Sequence, residues 1–453
     1  MRNLHQPDTV PLPALSPRPG SLPEVLVVHF SDTYLPRRDG VITSIRTLVG
    51  ALGVAGHRTL TVVPRHPDQP DDQALMRLRA VPLGVAGLRV SPWPLRDSMC
   101  HGALADLAQL RPDVIHVHTP GPVGLLGVVA ARRLGLPLVQ TYHTDLHAYA
   151  DAYRFPVPAI RVGVRLYARR LDAPRPPVRS EVGRVLSRRP GRRRDALDDA
   201  NALLLGDCGA VVVPTRAVLG RVQLPVPSGK VFVVPTGVGA RPTTPGAVAA
   251  LRAACGLRPE HRVVLFVGRI NREKGIDLLM SAFAQVATAR PEARLLLVGA
   301  RYDARWFTGL LRGVGPAVAQ QVIWVGEQPA DVVAAAYGLA DVFAFPSQTD
   351  TQALVLQEAA HAGVPAVLAD PVLHRDGALP GVGLCAGEDP EAFAGAVARL
   401  LDDRALARSL GEEAAARAAQ HTPAQYGAAM VRVYEQAIAN RAEGATPPAV
   451  PVV

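Results

Sequence analysis

Two carboxylates and two cations in the second half of this 453-residue chain have the types and spacing to hold one polar, anionic ligand. Asp350 and Glu358 lie eight residues apart within Val342-Phe-Ala-Phe-Pro-Ser-Gln-Thr-Asp-Thr-Gln-Ala-Leu-Val-Leu-Gln-Glu-Ala-Ala-His-Ala-Gly-Val-Pro365. That stretch reads as a short buried strand, a polar loop from Gln348 to Gln352, and a helix ending near Gly363-Val364-Pro365. Asp350 then stands in the loop and Glu358 about two helical turns deeper, so both can face one crevice at different depths. Upstream, Arg262-Val-Val-Leu-Phe-Val-Gly-Arg-Ile-Asn-Arg-Glu-Lys-Gly275 reads as a strand whose carboxyl end delivers Arg269 and Lys274. Arginine bonds two oxygens at once and lysine supplies a point charge, which together make a clamp for a diphosphate. Lys274 and Lys230 are the chain's two lysines among cations that are otherwise arginine.

A second set of candidates lies in the first half. Glu24 to Ser31 reads as a buried strand, followed by the loop Asp32 to Gly40 and a helix from about Val41 to Gly53. Gly40 stands at the helix entry, where a residue without Cβ lets a phosphate approach backbone N–H groups; a plain turn glycine is the rival reading. Two later strands, in Asp113-Val-Ile-His-Val-His-Thr-Pro-Gly121 and Leu136-Pro-Leu-Val-Gln-Thr-Tyr-His-Thr-Asp145, carry His116, His118 and His143 to their ends. His116 and His118 either organise the crevice or simply pack. His143 and His147 have the i, i+4 spacing of a helical zinc pair, yet Thr144 stands where a metalloprotease has its glutamate, and no third ligand is evident. No metal is therefore expected at the site. Gly50, Gly53 and Gly56 precede a strand, the wrong context for a dinucleotide fingerprint, which weakens a dehydrogenase reading.

Length and patterning supply the scaffold. At 453 residues the chain exceeds one ordinary core. Strand after helix after strand argues an α/β fold with doubly wound parallel sheets. The expected units are a tail over 1–23, a first domain over 24–238, a linker over 239–247, a second domain over 248–422, a helix over 423–442 returning to the first domain, and a tail over 443–453. No apolar run approaches the length of a membrane span, and the start of the chain lacks the apolar core of a secretory signal. Cys100, Cys208, Cys255 and Cys385 lie far apart without metal-type spacing and read as free thiols of a reducing cytoplasm.

The acid pair, the cation pair and Gly40 together resemble the motifs of the retaining GT-B glycosyltransferases of family 4. The resemblance covers about residues 24 to 440. It implies two Rossmann-like domains facing a cleft, with a nucleotide sugar, a UDP-hexose, held mostly by the second. It implies that Asp350 meets donor-sugar hydroxyls, that Glu358 meets the ribose, and that Gly40, Arg269 and Lys274 meet the diphosphate, with Gln352, Ala353 and Leu354 beside them. His143, in Tyr142-His143-Thr144-Asp145, is similar to the histidine that the family places near the transferred sugar. The wording from Thr349 to Glu358 looks most like the branch that glycosylates diacylglycerol-type lipids. Two positions depart from the wider family: its first Glu is Asp350 here, and its Gly is Ala353, whose Cβ is expected to crowd the approach to a diphosphate. The nucleotide sugar is a substrate, so no cofactor is expected, and the absence of any Asp-x-Asp agrees with metal-free stabilisation of the leaving group.

Charge points to a partner. Residues 1–240 carry +12 and the remainder −2, out of +10 in all. Residues 154–194 hold thirteen arginines against Asp172 and Glu181. Within this basic insert, about 154–198, Ile160 to Leu171 reads as a basic amphipathic helix. An anionic membrane surface is the natural partner, because each basic residue near such a leaflet contributes on the order of 1 kcal/mol. Few aromatics and no recognised module argue against nucleic acid; a merely solvated insert is the plainer alternative. The expectation is a hexosyltransferase with a membrane-lipid acceptor, peripheral to the inner face of the plasma membrane. Its rivals are a family member with a soluble sugar or polyol acceptor, a nucleotide-sugar epimerase, and a catalytically decayed membrane- or glycan-binding module.

Overall fold

The computed structural model describes residues 24–82, 89–93, 97–143, 157–172 and 192–444. Its first unit runs β1 (Leu26–Phe30), α1 (Gly40–Val54), β2 (Arg58–Pro64), β3 (Leu75–Leu78), β4 (Val81–Pro82), β5 (Arg89–Val90), α2 (Asp97–Leu110) and β6 (Val114–Val117). It continues through α3 (Pro122–Leu134), β7 (Leu138–Thr141), α4 (Val157–Arg170), α5 (Arg192–Leu205), β8 (Ala210–Val213), α6 (Arg216–Leu219) and β9 (Val231–Val233). The second comprises α7 (Pro245–Ala254), β10 (Arg262–Val267), α8 (Ile276–Ala289), β11 (Ala293–Val298), α9 (Ala304–Gly313), α10 (Pro316–Ala319), β12 (Val322–Trp324) and α11 (Ala330–Leu339). β13 (Val342–Phe345), α12 (Leu354–His361), β14 (Ala366–Leu368), α13 (Pro371–Asp376), β15 (Leu384–Cys385), α14 (Pro390–Asp402) and α15 (Arg404–Ala418) complete it, and α16 (Pro423–Gly444) follows.

Continuous apolar strands such as Leu26–Phe30, buried along their whole length, suit parallel sheets covered on both faces. The first sheet has the order β3-β2-β1-β6-β7-β8-β9 and the second β12-β11-β10-β13-β14-β15. Their pairings are all parallel. This is the GT-B arrangement of two Rossmann-like, doubly wound domains. In each sheet the chain reverses its direction of growth once, between β1 and β6 and between β10 and β13, and such a switch point opens a crevice at the carboxyl ends of the strands.

Local signals set the helix boundaries. Asp39 caps α1 by accepting the Ile42 N–H at 2.9 Å, so this helix starts at Gly40. Thr244 caps α7 and Pro245 fills its first turn, so the helix takes up the last three residues of the span read as linker. The final helix does return to the first unit. Tyr426, Met430, Val433, Tyr434 and Ala437 of α16 pack against Val27, Val114, Val139, Ala210 and Val212 of the first sheet.

The basic helix read between Ile160 and Leu171 is present as α4. Most of the arginine-rich run beyond it, the expected tail over 1–23 and His147 lie outside the described residues, as does the expected tail over 443–453 apart from its first two residues, which extend α16. Cys100, Cys208, Cys255 and Cys385 form no disulfide with one another. Among the described residues no helix is long and apolar enough to cross a membrane.

Candidate active site

Both switch points face one cleft; most of the candidates sit beside one of them, and His143 follows the next strand of the first sheet. Arg269 and Lys274 follow β10, Asp350 follows β13, Gly40 opens α1 after β1, and His143 follows β7. A Cβ on Gly40 would lie 3.8 Å from Leu354 Cδ1, so the entries of α1 and α12 confront each other across the cleft. Two helix N-termini aimed at one place create a positive field suited to a diphosphate.

Lys274 Nζ lies 2.8 and 2.9 Å from the two carboxylate oxygens of Asp350, 76 residues apart in sequence. Burial drives the Asp350 carboxyl up, but the charge and hydrogen bond of Lys274, assisted by Arg269, outweigh it and hold this carboxyl below its ordinary value. Asn271 sets the lysine: its side chain accepts the Lys274 N–H at 3.2 Å and closes a single 3-10 turn, Arg272–Lys274. Gly275 ends that turn at φ 67°, and a Cβ there would come within 2.4 Å of Pro346 O, so glycine alone lets the lysine turn lie against the Asp350 loop. Glu273 holds Arg269 at 3.0 Å and stands 3.7 Å from Lys274. It was missed in the sequence, although its i, i+4 spacing from Arg269 was legible. Arg272 points elsewhere and covers the Trp306 ring at 5.0 Å.

The loop between β13 and α12 is tied to the first domain at four points. Thr215 Oγ1 donates to Thr351 O at 2.5 Å, Arg221 donates to Asp350 O at 2.8 Å, and Thr351 Oγ1 donates to His143 O at 2.9 Å. Gln352 accepts the Thr236 N–H at 3.0 Å and donates to Thr236 O at 2.8 Å and to Gln357 Oε1 at 2.7 Å. Its amide, expected beside the donor, is thus engaged in joining the domains. Arg221, which also pairs with Asp370, and Thr236 carried no sequence signal, because their importance depends on which loop crosses the cleft.

Ala353 stands at φ 59°, ψ 70° as the residue before α12, a left-handed conformation that favours glycine. It belongs to the buried apolar core, so its departure from glycine appears as backbone strain. Glu358 lies in the second turn of α12, largely but not fully buried. Burial drives its carboxyl above the ordinary range, against Arg241 at 3.5 Å and the Tyr337 hydroxyl donating at 3.1 Å. With Gly239 and His361 these residues line a pocket of about 310 Å³ beside the domain junction.

Behind His143 stands a cluster of imidazoles. His29 and His116 are register partners on β1 and β6, and His118 lies two residues further on the same face. His29 Nδ1 is 3.0 Å from His118 Nε2, and His118 Nδ1 is 3.1 Å from His143 Nε2. His116 bonds the Tyr434 hydroxyl at 2.8 Å and Thr141 Oγ1 at 2.7 Å. His29, His116 and His118 each bring a ring nitrogen within 4.8 Å of the others, the one such grouping among the described residues. Hydrogen bonds occupy both nitrogens of His116 and His118, so a cation would have to displace them. Burial lowers His29 to about 3 and His143 to about 4, and puts His116 and His118 well below their usual value, so all four rings are neutral at physiological pH. His29 was not singled out in the sequence, because it reads as one more residue of a buried strand.

Two outcomes follow from this geometry. Ala353→Gly is expected to raise stability by about 1 kcal/mol by relieving the left-handed strain, read from chemical unfolding midpoints. Because the Asp350 carboxyl is depressed in the folded state, its pairing contributes stability above the ordinary carboxylate range, and that stability is lost as pH falls through the folded value. Lys274→Met removes the main opposing cation and leaves burial dominant. The variant is therefore expected to unfold at higher pH than the native chain in an acid titration followed by circular dichroism.

Comparison with known proteins extends the geometry. The Glycosyltransferase Family 4 model matches residues 38–240 and the Glycosyl transferases group 1 model residues 249–417. The chain is 25% identical over 350 residues to the alpha-monoglucosyldiacylglycerol synthase of Acholeplasma laidlawii, covering 75% of this chain and 79% of that one. It is 31% identical over 324 residues to the D-inositol 3-phosphate glycosyltransferase of Mycolicibacterium gilvum, covering 68% and 64%. In structure it resembles the sucrose-phosphate synthase of Thermosynechococcus elongatus with a TM-score of 0.68, at 23% identity and over 92% and 99% of the two chains. With a family 4 domain leading, a group 1 domain following, and two switch points facing one crevice, the chain belongs to the GT-B glycosyltransferases.

Proposed function

We propose that this glycosyltransferase moves a hexose from a UDP-type nucleotide sugar to a diacylglycerol-type membrane lipid with retention of configuration. The observation that carries the donor half is the Lys274–Asp350 contact, which joins the loops that follow β10 and β13. In this reading Lys274, Arg269 and the helix N-termini hold the diphosphate, Asp350 turns to the sugar hydroxyls, Glu358 meets the ribose, and His143 flanks the sugar. The bond from the anomeric carbon to the diphosphate breaks while the bond to the acceptor oxygen forms on the same face. The acceptor proton passes to the departing diphosphate, whose growing charge the two cations stabilise. In this reading Arg269, Lys274 and the helix N-termini meet the charge of the leaving diphosphate, and no metal ion is invoked.

The acceptor half is supported by the glucosyldiacylglycerol synthase relative and by α4. Pro158, Val162, Arg165 and Arg169 form one exposed stripe on that helix, with Val162 62% exposed. An exposed valine beside two exposed arginines suits a leaflet that is apolar within and anionic at its surface. Attachment on this stripe would hold the enzyme peripherally on the cytoplasmic face of the plasma membrane. The inositol-phosphate transferase relative, at higher identity, favours a second reading with a soluble polyol phosphate acceptor.

Purified protein incubated with labelled UDP-glucose, UDP-galactose or GDP-mannose, and either diacylglycerol vesicles or inositol 3-phosphate, decides between them. Labelled glycolipid is the expected product from a UDP donor; transfer to inositol 3-phosphate alone would overturn the lipid reading. Arg269→Ala and Lys274→Ala should each lower kcat by about 10²-fold, as for other lost transition-state donors, and Arg272→Ala by far less. For the membrane contact, Val162→Asp with Arg165→Gln and Arg169→Gln should reduce flotation with phosphatidylglycerol vesicles. Native binding should itself fall with salt, because exposed charges are screened within about 8 Å at physiological ionic strength. Flotation indifferent to those substitutions and to anionic lipid would remove α4 from the interface.

A further inference from the structure

His29, His118 and His143 form a chain of three imidazoles joined nitrogen to nitrogen at 3.0 and 3.1 Å. A neutral imidazole carries one N–H and one bare nitrogen. Each link needs one donor and one acceptor, so the three rings have only two self-consistent arrangements. Either all three carry the proton on Nδ1, or all three carry it on Nε2. No ring can change alone without setting two N–H groups, or two lone pairs, against each other. The far end decides which arrangement holds. His29 is fully buried, and its Nε2 has no hydrogen-bond partner among the described residues. An Nε2–H arrangement would bury an unpaired N–H at that atom, the defect that folded proteins avoid most consistently. With protons on Nδ1, the atom left there is a bare nitrogen.

We propose that His29, acting through His118, locks His143 as its Nδ1–H tautomer, so that the partly exposed ring of His143 offers a hydrogen-bond donor to the substrate and not a base. His29 and His118 are then positioning residues, and only His143 faces the reaction. The chain also has a dead end. In this arrangement Nδ1 of His143 already carries a proton and can only give one up, and the shift along the links that would replace it has to draw a new proton onto His29 Nε2, where no donor stands among the described residues. The relay therefore fixes an orientation and does not conduct. That His143 meets the transferred sugar rests on the function proposed above; the tautomer lock does not.

Long-range proton–nitrogen correlation spectra of the whole protein with 15N-labelled histidine read the tautomers directly, with His29→Leu, His118→Gln and His143→Gln supplying the assignments. Three Nδ1–H signatures in the native protein, and a change of the His143 signature in His29→Leu, are expected. An Nε2–H signature at His143, or a His143 signature unaltered in His29→Leu, would overturn the lock. Kinetics supply the second readout. His29→Leu keeps an apolar side chain of similar size in the core and should lower kcat about tenfold, the worth of one hydrogen bond in the transition state, with the KM for donor little changed. His29→Asn places an amide N–H close to the Nδ1 position and should restore most of the loss; failure of Asn to do better than Leu would overturn the positioning role. If the spectra show the lock while His143→Gln transfers sugar at the native rate, the lock stands and the placement of His143 at the sugar falls.

Discussion

The contact between Lys274 and Asp350 is the constraint on which the rest of the site depends. It joins the two loops that leave the carboxyl ends of β10 and β13, the strands flanking the switch point of the second sheet. Two largely buried charges are costly unless each is paired. The pair therefore fixes the lysine turn and the acid loop as one unit, and the left-handed Gly275 permits their close approach. On the donor site proposed above, a diphosphate entering beside Lys274 would find a cation already desolvated and oriented, with its partner carboxylate turning to the sugar.

That unit is not a property of the second domain alone. Thr215, Thr236, Arg221 and the backbone of His143, all in the first domain, bond the acid loop. The α16 helix closes the circuit: Tyr426 bonds Ser44, and Ser44 bonds Thr236, the residue that Gln352 grips. The two domains are thus held in register by hydrogen bonds that converge on three residues of the loop, Asp350, Thr351 and Gln352. The strain at Ala353 falls at the hinge between this loop and α12, where a left-handed residue aims the helix N-terminus into the cleft.

The histidines give the first domain a different kind of rigidity. Four imidazoles on and beside three adjacent strands are neutral because burial makes charge too costly, and neutrality is what allows them to bond one another. Tyr434 of α16 fixes His116 from above, so the helix that completes the first core also helps to order the ring cluster behind His143.

Much of this architecture was legible in the sequence because it is local. Apolar runs alternating with amphipathic segments gave the two parallel sheets, and residues with one dominant chemistry, Arg269, Lys274, Asp350 and Glu358, stood out as candidates to hold one polar ligand. Helix starts at Gly40 and Pro245 follow from Asp39 and from Thr244-Pro245, signals carried by neighbouring residues. Tertiary structure alone decided which distant groups meet. Nothing in the sequence pairs Gln352 with Thr236 or Arg221 with the Asp350 loop, since those bonds depend on how two separately folded domains close. His29 was invisible for the same reason: a histidine in an apolar strand has no distinctive pattern, and its partner His118 lies 89 residues away until β1 and β6 are placed side by side. Periodicity encodes what a segment becomes, whereas a hydrogen bond between segments exists only when the fold brings both to one place.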